Sequence, residues 1–225
     1  MSGAGVQVAP LPAGDVGAAA EVLARAFRDN PLPRVLLPGG HPERRLRAVR
    51  AGFSVLLPVA ASRGTVLAAW REGRPVGILI GLGPGQWPLP LPPVRARLRA
   101  LAAQGLRATW RLAELSERLA RLHPGAPHAY LAALGVEPAF RGRGAGRALL
   151  ARWLELTRGF RVPSYLETDR EANLRFYGAA GFGVVGSLSF RGVAIWRMER
   201  PVAGPVEPPG VLAGARGEGA GEVRG

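Results

Sequence analysis

Lysine is missing altogether from this chain, and so is cysteine. Without lysine, a phosphate loop of the G-x-x-x-x-G-K-[ST] kind cannot be built. Without cysteine there is no disulfide framework, no cysteine–zinc site and no thiol nucleophile, so any chemistry must use other groups. His41, His123 and His128 are the whole histidine complement; they lack metal-ligand spacing, and no metal is expected. No apolar run approaches the roughly 18–20 residues that cross a bilayer. The N-terminal Met1-Ser2-Gly3-Ala4-Gly5 has no basic segment leading into an apolar core. The expectation is a cytoplasmic protein with no membrane contact.

What the chain has in excess is arginine: all 30 basic residues are Arg, against 16 acids, for a net charge of +14. Such a surplus raises the question of nucleic acid. The arginines, however, are scattered through helical segments without interleaved aromatics, and a chain rich in Arg, Ala, Gly and Pro has the composition of a GC-rich genome. Nucleic acid is therefore not the expected partner. With 225 residues, 48% of them apolar, the chain reads as one domain over 1–200 followed by a tail. Residues 201–225 are mostly Gly, Pro, Ala, Glu and Arg and are expected to be disordered. No internal repeat is visible.

The most informative stretch is His128 to Arg152. An apolar run, Tyr130-Leu131-Ala132-Ala133-Leu134-Gly135-Val136, meets Glu137-Pro138 and then Arg141-Gly142-Arg143-Gly144-Ala145-Gly146. The run suits a buried strand and Pro138 stops it. The glycines allow a tight turn before Arg147, Ala148, Leu149, Leu150, Trp153, Leu154 and Leu156 take up a helical spacing. N–H groups in a helix's first turn have no intrahelical partner, the dipole there favours negative charge, and glycine leaves no Cβ to hold a phosphate away. A pyrophosphate fits such a place. A dinucleotide fingerprint needs G-x-G-x-x-G, whereas these glycines fall at 142, 144 and 146 with Arg147 in the last position, which excludes it.

What remains is Arg141-x-x-Gly144-x-Gly146 after a strand ending Val136-x-Pro138, followed by Tyr165-Leu166-Glu167-Thr168, Asn173-x-x-x-Tyr177 and Gly181-Phe182. This series resembles the acyl-CoA loop and the second CoA-side motif of the GNAT N-acetyltransferases. Within that family the run Leu166-Glu167-Thr168, Asn173-Leu174, Phe176-Tyr177, Gly181-Phe182 is most similar to puromycin acetyltransferase-like members. The resemblance covers roughly 128–199, which it marks as the CoA-binding core; the first 127 residues match only in outline. It implies an α/β GNAT acyl-CoA N-acyltransferase fold, a mixed central sheet flanked by helices. It also implies acetyl transfer from acetyl-CoA, a polyanion that the positive charge would attract, to a primary amine, expected to belong to a small molecule. Protein N-terminal or lysine acetylation and a catalytically idle acyl-CoA-binding regulator are the alternatives, and a homodimer is left open.

The rest of the chain fits that outline. Val6-Gln7-Val8 alternates like a short strand, and Asp15 stands at an N-cap position before Ala18, Ala19, Val22, Leu23, Ala26 and Phe27, a helical face. Asn30-Pro31-Leu32-Pro33 is expected to end that helix in a loop running through Gly39-Gly40. A second helix is expected from Glu43 to about Leu57, with Arg44, Arg45, Arg47 and Arg50 on its solvated side. Thr65 to Trp70 and Val76 to Ile80 read as a hairpin around Glu72-Gly73-Arg74-Pro75, and Gly83 to Pro93 as an irregular loop. From Val94 to Leu122 the apolar positions step by threes and fours, which predicts a long amphipathic helix or a bent pair broken near Gly105. This helical insertion before the CoA-loop strand departs from the simplest family members and resembles that of antibiotic-modifying relatives. Its apolar stripe serves either core packing or the wall of an acceptor pocket. Phe182 to Leu188 and Val193 to Met198 read as a closing hairpin around Arg191-Gly192.

Acetyl transfer to an amine needs a neutral amine, a polarised carbonyl and a protonated leaving thiolate, and neither a metal nor a covalent intermediate. The resemblance assigns the pyrophosphate to backbone N–H groups of Arg141, Gly142, Arg143, Gly144, Ala145 and Gly146, with charge from Arg141, Arg143 and Arg147. It assigns the pantetheine arm to Leu134, Gly135 and Val136. Tyr177 matches the family position that protonates the thiolate, and Asn173, one helical turn earlier, can bond the CoA arm. Glu167 and Glu137 are the candidates for drawing a proton from the amine, each with the alternative of pairing to an arginine. His128 is read as a residue at the start of a strand.

Overall fold

A computed structural model describes residues 5–37 and 41–202. The expected tail thus lies, from residue 203 onward, outside the described residues. The elements in chain order begin with β1 (Gln7–Pro10), α1 (Val16–Phe27), α2 (Pro31–Leu36), α3 (Pro42–Arg63), β2 (Thr65–Arg71) and β3 (Arg74–Leu82). They continue with α4 (Val94–Gln104), α5 (Leu106–Leu122), β4 (Ala129–Val136), α6 (Ala145–Thr157), β5 (Ser164–Thr168), α7 (Ala172–Gly178), β6 (Gly183–Phe190) and β7 (Val193–Arg200).

The strands form one seven-stranded sheet in the order β1-β2-β3-β4-β5-β7-β6. Only β4 and β5 run parallel. The sheet is mixed because β4 and β5 are joined by a helical crossover, whereas β2–β3 and β6–β7 are hairpins. Each hairpin turns through two residues at positive φ, Glu72-Gly73 and Arg191-Gly192, the backbone of a turn whose twist matches that of its strands.

Each face of the sheet is covered. On one side Ala19, Ala20, Val22 and Leu23 of α1 and Leu57 and Ala60 of α3 pack on Val66, Ala68, Ile78, Ile80 and Ala133. On the other, Ala145, Leu149, Leu150 and Trp153 of α6 and Tyr177 of α7 pack on Leu67, Ala69, Leu79, Leu131, Leu166 and Met198. Small residues set the spacing. A Cβ at Gly81 would overlap the Trp153 indole, and one at Gly135 would lie 2.9 Å from Leu23 and 3.0 Å from Ala26. Trp153, 1% exposed, therefore lies flat over backbone, where its burial contributes on the order of 25 cal/mol per Å² removed from water.

Three expectations need correction. Asn30 to Leu36 is not loop: Pro31 starts α2, whose fixed φ suits a first helical position, and the Asp169 carboxylate caps it by accepting from the Leu32 N–H at 2.8 Å. α3 does not stop near Leu57 but runs to Arg63 with Pro58 inside it. Burial of Leu57 and Ala60 against the sheet outweighs the hydrogen bond that proline cannot donate. Asp15 sits at the start of α1 but its side chain makes no capping bond. The insertion is a bent pair: Gly105, at φ +86, breaks α4 from α5. α4 buries none of its residues, whereas Leu115 of α5 packs with Phe190 and Ile195 of the closing hairpin.

Candidate active site

The site begins with a defect in β4. Opposite β3, Ile80 faces Ala133 and Gly81 faces Leu131, so Ala132 is an extra residue in the strand. A bulge of this kind bends its strand and disturbs the alternation of faces. Leu131 and Leu134 consequently share the α6 face, while Ala132 and Ala133 pack on the α1 side. The bend also ends the pairing with β5: Ala129, Tyr130 and Leu131 are matched to Ser164, Tyr165 and Leu166, and nothing beyond. From Ala132 to Val136 the β4 edge facing β5 is free of strand partners, although its other edge stays bonded to β3 as far as Val136. Unpaired backbone amides beside an open cleft are ready partners for an extended ligand.

At the mouth of that opening lies the glycine turn. Gly142 and Gly144 have φ of +75 and +87, and a Cβ at either would meet nothing within 4 Å. Glycine is needed there for backbone conformation, not for lack of room. Gly146, by contrast, is already in α6, and its Cβ would touch Val136 Cγ2 at 3.4 Å and Phe176 at 3.6 Å. The first helical bond of α6 runs from Ala148 N to Gly144 O. The N–H groups of Ala145, Gly146 and Arg147 therefore precede it and have no intrahelical acceptor.

A single cleft of about 700 Å³ joins these features. It is bordered by Leu134, Gly135, Val136, Arg141, Gly142, Gly144, Ala145, Gly146, Arg147, Glu167, Asn173 and Tyr177, so the structure brings together residues that the sequence distributes over three segments. Arg143 lies outside this lining; its guanidinium lies over the Phe140 ring, 5.6 Å from the centroid. Arg141 is tethered, one N–H donating to Ala26 O at 2.8 Å. Burial, then the neighbouring charge of Arg170, lowers its pKa. Arg170 also borders the cleft, as a cation that the sequence motifs did not single out. Asn173 donates to Thr168 Oγ1 at 2.9 Å, which leaves its carbonyl oxygen for a ligand.

Tyr177, 6% exposed, stays a neutral phenol because burial, then the nearby Asp169 charge, pushes its pKa well above the ordinary value. Glu137 is held by Arg25, whose Nε donates to both carboxylate oxygens at 2.9 Å; it does not border the cleft. Glu167 does, and it has no arginine salt bridge among the described residues. Its carboxylate lies 3.6 Å from His123 Nδ1, and the two side chains are 9% and 2% exposed. Tyr130 and Tyr165 point toward it, each with a phenol pKa raised chiefly by burial and secondarily by the Glu167 charge. The Tyr165 hydroxyl is buried close to Glu167 and Arg197 without a well-aligned hydrogen bond to either. His128 immediately precedes β4 and is buried against His123. His123 is the residue that sequence reasoning missed: it follows α5 in a segment with no motif, and only the fold carries it to Glu167.

The cleft is also lined by Leu32, Pro33 and Leu36 of α2 and by Leu112, Leu115 and Leu119 of α5. Leu115 of the insertion belongs to a core cluster and also borders the cleft. Among the described residues no cluster of metal-ligating side chains occurs, and no helix is long and apolar enough to cross a membrane.

The curated relatives include a mycothiol acetyltransferase of Thermobispora bispora, 42% identical over 83 residues, which is 37% of this chain and 25% of that protein. They also include the N-alpha-acetyltransferase RimI of Mycobacterium tuberculosis, 45% identical over 53 residues, 24% of this chain and 34% of that one. The chain thus spans about a third or less of the curated relatives it matches. Among solved structures, a Corynebacterium glutamicum protein described as histone acetyltransferase HPA2 and related acetyltransferase superposes with a TM-score of 0.68 at 24% identity. That alignment covers 90% of this chain and 99% of the other. The sequence pattern of the acetyltransferase (GNAT) family matches residues 37–182, from α3 through the glycine turn to the end of α7, and the chain belongs to that family.

Proposed function

We propose that the protein moves the acetyl group of acetyl-CoA to a primary amine of a small molecule. The observation that carries this reading is the parting of β4 from β5 beyond Leu131 and Leu166, which aligns an unpaired strand edge, the free N–H groups of α6, Tyr177 and Glu167 around one cleft. Those groups fit an acyl-CoA. The first turn of α6 would hold its pyrophosphate, with Arg141 and Arg147 adding charge, and the edge at Leu134, Gly135 and Val136 would bond the pantetheine arm and polarise the thioester carbonyl. Glu167 takes the proton from the amine nitrogen, and the Tyr177 phenol donates to the sulfur as the C–S bond breaks.

The apolar wall that α2 and α5 contribute through Leu32, Leu36, Leu112, Leu115 and Leu119 supports a small molecule as acceptor. The likeness of the 166–182 run to puromycin acetyltransferase-like members points the same way. The match to RimI favours a second reading, an α-amine at a protein N-terminus, which the same chemistry would serve. Calorimetric titration with acetyl-CoA and CoA, followed by a screen of small amines and N-terminal peptides for CoA release, tests these readings in turn. Binding with no turnover on any amine would leave an acyl-CoA-binding regulator; no binding at all would refute the assignment.

A further inference from the structure

Behind Glu167 the structure holds a hydrogen-bonded chain of two histidines that ends on a backbone carbonyl. His128 Nδ1 lies 2.8 Å from the carbonyl oxygen of Ala126, and its Nε2 lies 2.9 Å from Nε2 of His123. A carbonyl can only accept, so His128 must donate from Nδ1; in a neutral ring its Nε2 is then a bare acceptor. His123 must therefore donate from Nε2. Its remaining nitrogen, Nδ1, faces the Glu167 carboxylate at 3.6 Å, an ion-pair contact longer than a hydrogen bond. Both side chains are almost completely buried. A bare nitrogen lone pair opposite a carboxylate would be repulsive in this setting, and a proton on Nδ1 turns the contact into attraction.

We infer that His123, locked by His128 and Ala126, is a positioning residue for the base: it carries the positive counter-charge that keeps Glu167 ionised and aimed into the cleft. This rests on the acetyl-transfer reading. The other groups facing the pair are Tyr130 from β4, Tyr165 from β5, and Arg197 from β7, which is the cross-strand neighbour of Glu167. Both phenols are neutral. Arg197 gives one N–H to the carbonyl of Leu122 at 2.9 Å, so it also fixes the backbone next to His123. Trp87 stacks on the imidazole at 3.7 Å between centroids, 19° from parallel, an arrangement that suits a cationic ring. In the step itself the lone pair of the neutral amine forms the new N–C bond, an N–H bond breaks with its proton passing to a Glu167 oxygen and its electron pair left on nitrogen, and the C–S bond breaks with its pair on sulfur, which takes the Tyr177 proton. His123 keeps its own proton throughout.

Nitrogen-15 NMR of the histidines in the wild-type protein at neutral pH reads the tautomers directly. The expected spectrum has His128 neutral with its proton on Nδ1 and His123 protonated on both nitrogens, with His123 reverting to a neutral ring in Glu167→Gln. A neutral His123 in the wild type, or His128 carrying its proton on Nε2, overturns the proposal. His123→Phe keeps a ring against Trp87 and removes the charge. It should leave acetyl-CoA affinity unchanged and lower kcat/KM for the amine by about 10-fold or more, within the ~10²–10⁴-fold that a positioned base supplies. An unchanged rate would overturn the role. Failure of the wild type to bind acetyl-CoA would instead refute the acetyl-transfer reading, an outcome that the histidine spectrum keeps distinct.

Discussion

Gly144 and Gly146 stand two residues apart in one turn, yet alanine at each should act in opposite directions. At Gly144 the backbone has φ +87 and ψ −12, a left-handed conformation that costs an L-residue about 1–2 kcal/mol. Space is no obstacle, since nothing lies within 4 Å of the added Cβ, so the loss should stay within that range. At Gly146 the residue is helical and the methyl group would make ordinary contacts with Val136 and Phe176. There alanine gains up to about 1 kcal/mol of helix propensity. For a chain of this length 1 kcal/mol moves Tm by about 2–4 °C. Gly144→Ala should therefore lower Tm by about 2–8 °C, and Gly146→Ala should raise it by up to about 4 °C. Differential scanning calorimetry of the wild type, Gly144→Ala, Gly144→Val and Gly146→Ala, with and without acetyl-CoA, makes the comparison. The acetyl-CoA-induced rise in Tm should shrink in Gly144→Ala and more so in Gly144→Val, because the N–H groups after the turn lose their alignment. Two shifts of the same sign, or a folded Gly144→Val with wild-type acetyl-CoA affinity, would refute the assignment of the loop.

Tyr177→Phe removes only the hydroxyl, so kcat should fall by ~10²–10⁴-fold with acetyl-CoA affinity kept, as measured by steady-state kinetics beside calorimetric titration. Because burial raises the phenol pKa, the donor stays protonated through the pH where an ordinary tyrosine ionises, about 10. The wild-type rate should show no fall there that is due to Tyr177. Glu167→Gln should lower kcat/KM for the amine by a similar ~10²–10⁴-fold; a wild-type rate would place the base elsewhere. Leu112→Trp, at a position that is 41% exposed and borders the cleft, should raise KM for the amine without changing acetyl-CoA binding, which a two-substrate kinetic matrix separates. Gly81→Ala should unfold or strongly destabilise the protein by overlap with Trp153, at a cost of about 1–3 kcal/mol or more, seen as a lower midpoint in urea.

The sequence by itself determined what depends on neighbouring residues. The strand into Val136, the stop at Pro138, the positive-φ glycines and the amphipathic start of α6 are local features, and each is set by the residue's own backbone preference or spacing. The hairpins at Glu72-Gly73 and Arg191-Gly192 were readable for the same reason, and so was the break at Gly105. What the tertiary structure decided is whatever depends on partners far along the chain. The short helix after Asn30 exists because Asp169 caps it, and α3 passes through Pro58 because its far end is buried against the sheet. Neither partner is visible in the local pattern. The opening between β4 and β5 follows from a bulge at Ala132, and an alanine in an apolar run carries no sign that it will be the unpaired one. His123 is the extreme case. Its own sequence surroundings read as the end of a surface helix, and it gains a role only because β4 and β5 bring His128 and Glu167 to it, one within hydrogen-bond distance and the other within ion-pair distance. There a buried carboxylate and imidazole can act on each other with little screening from water.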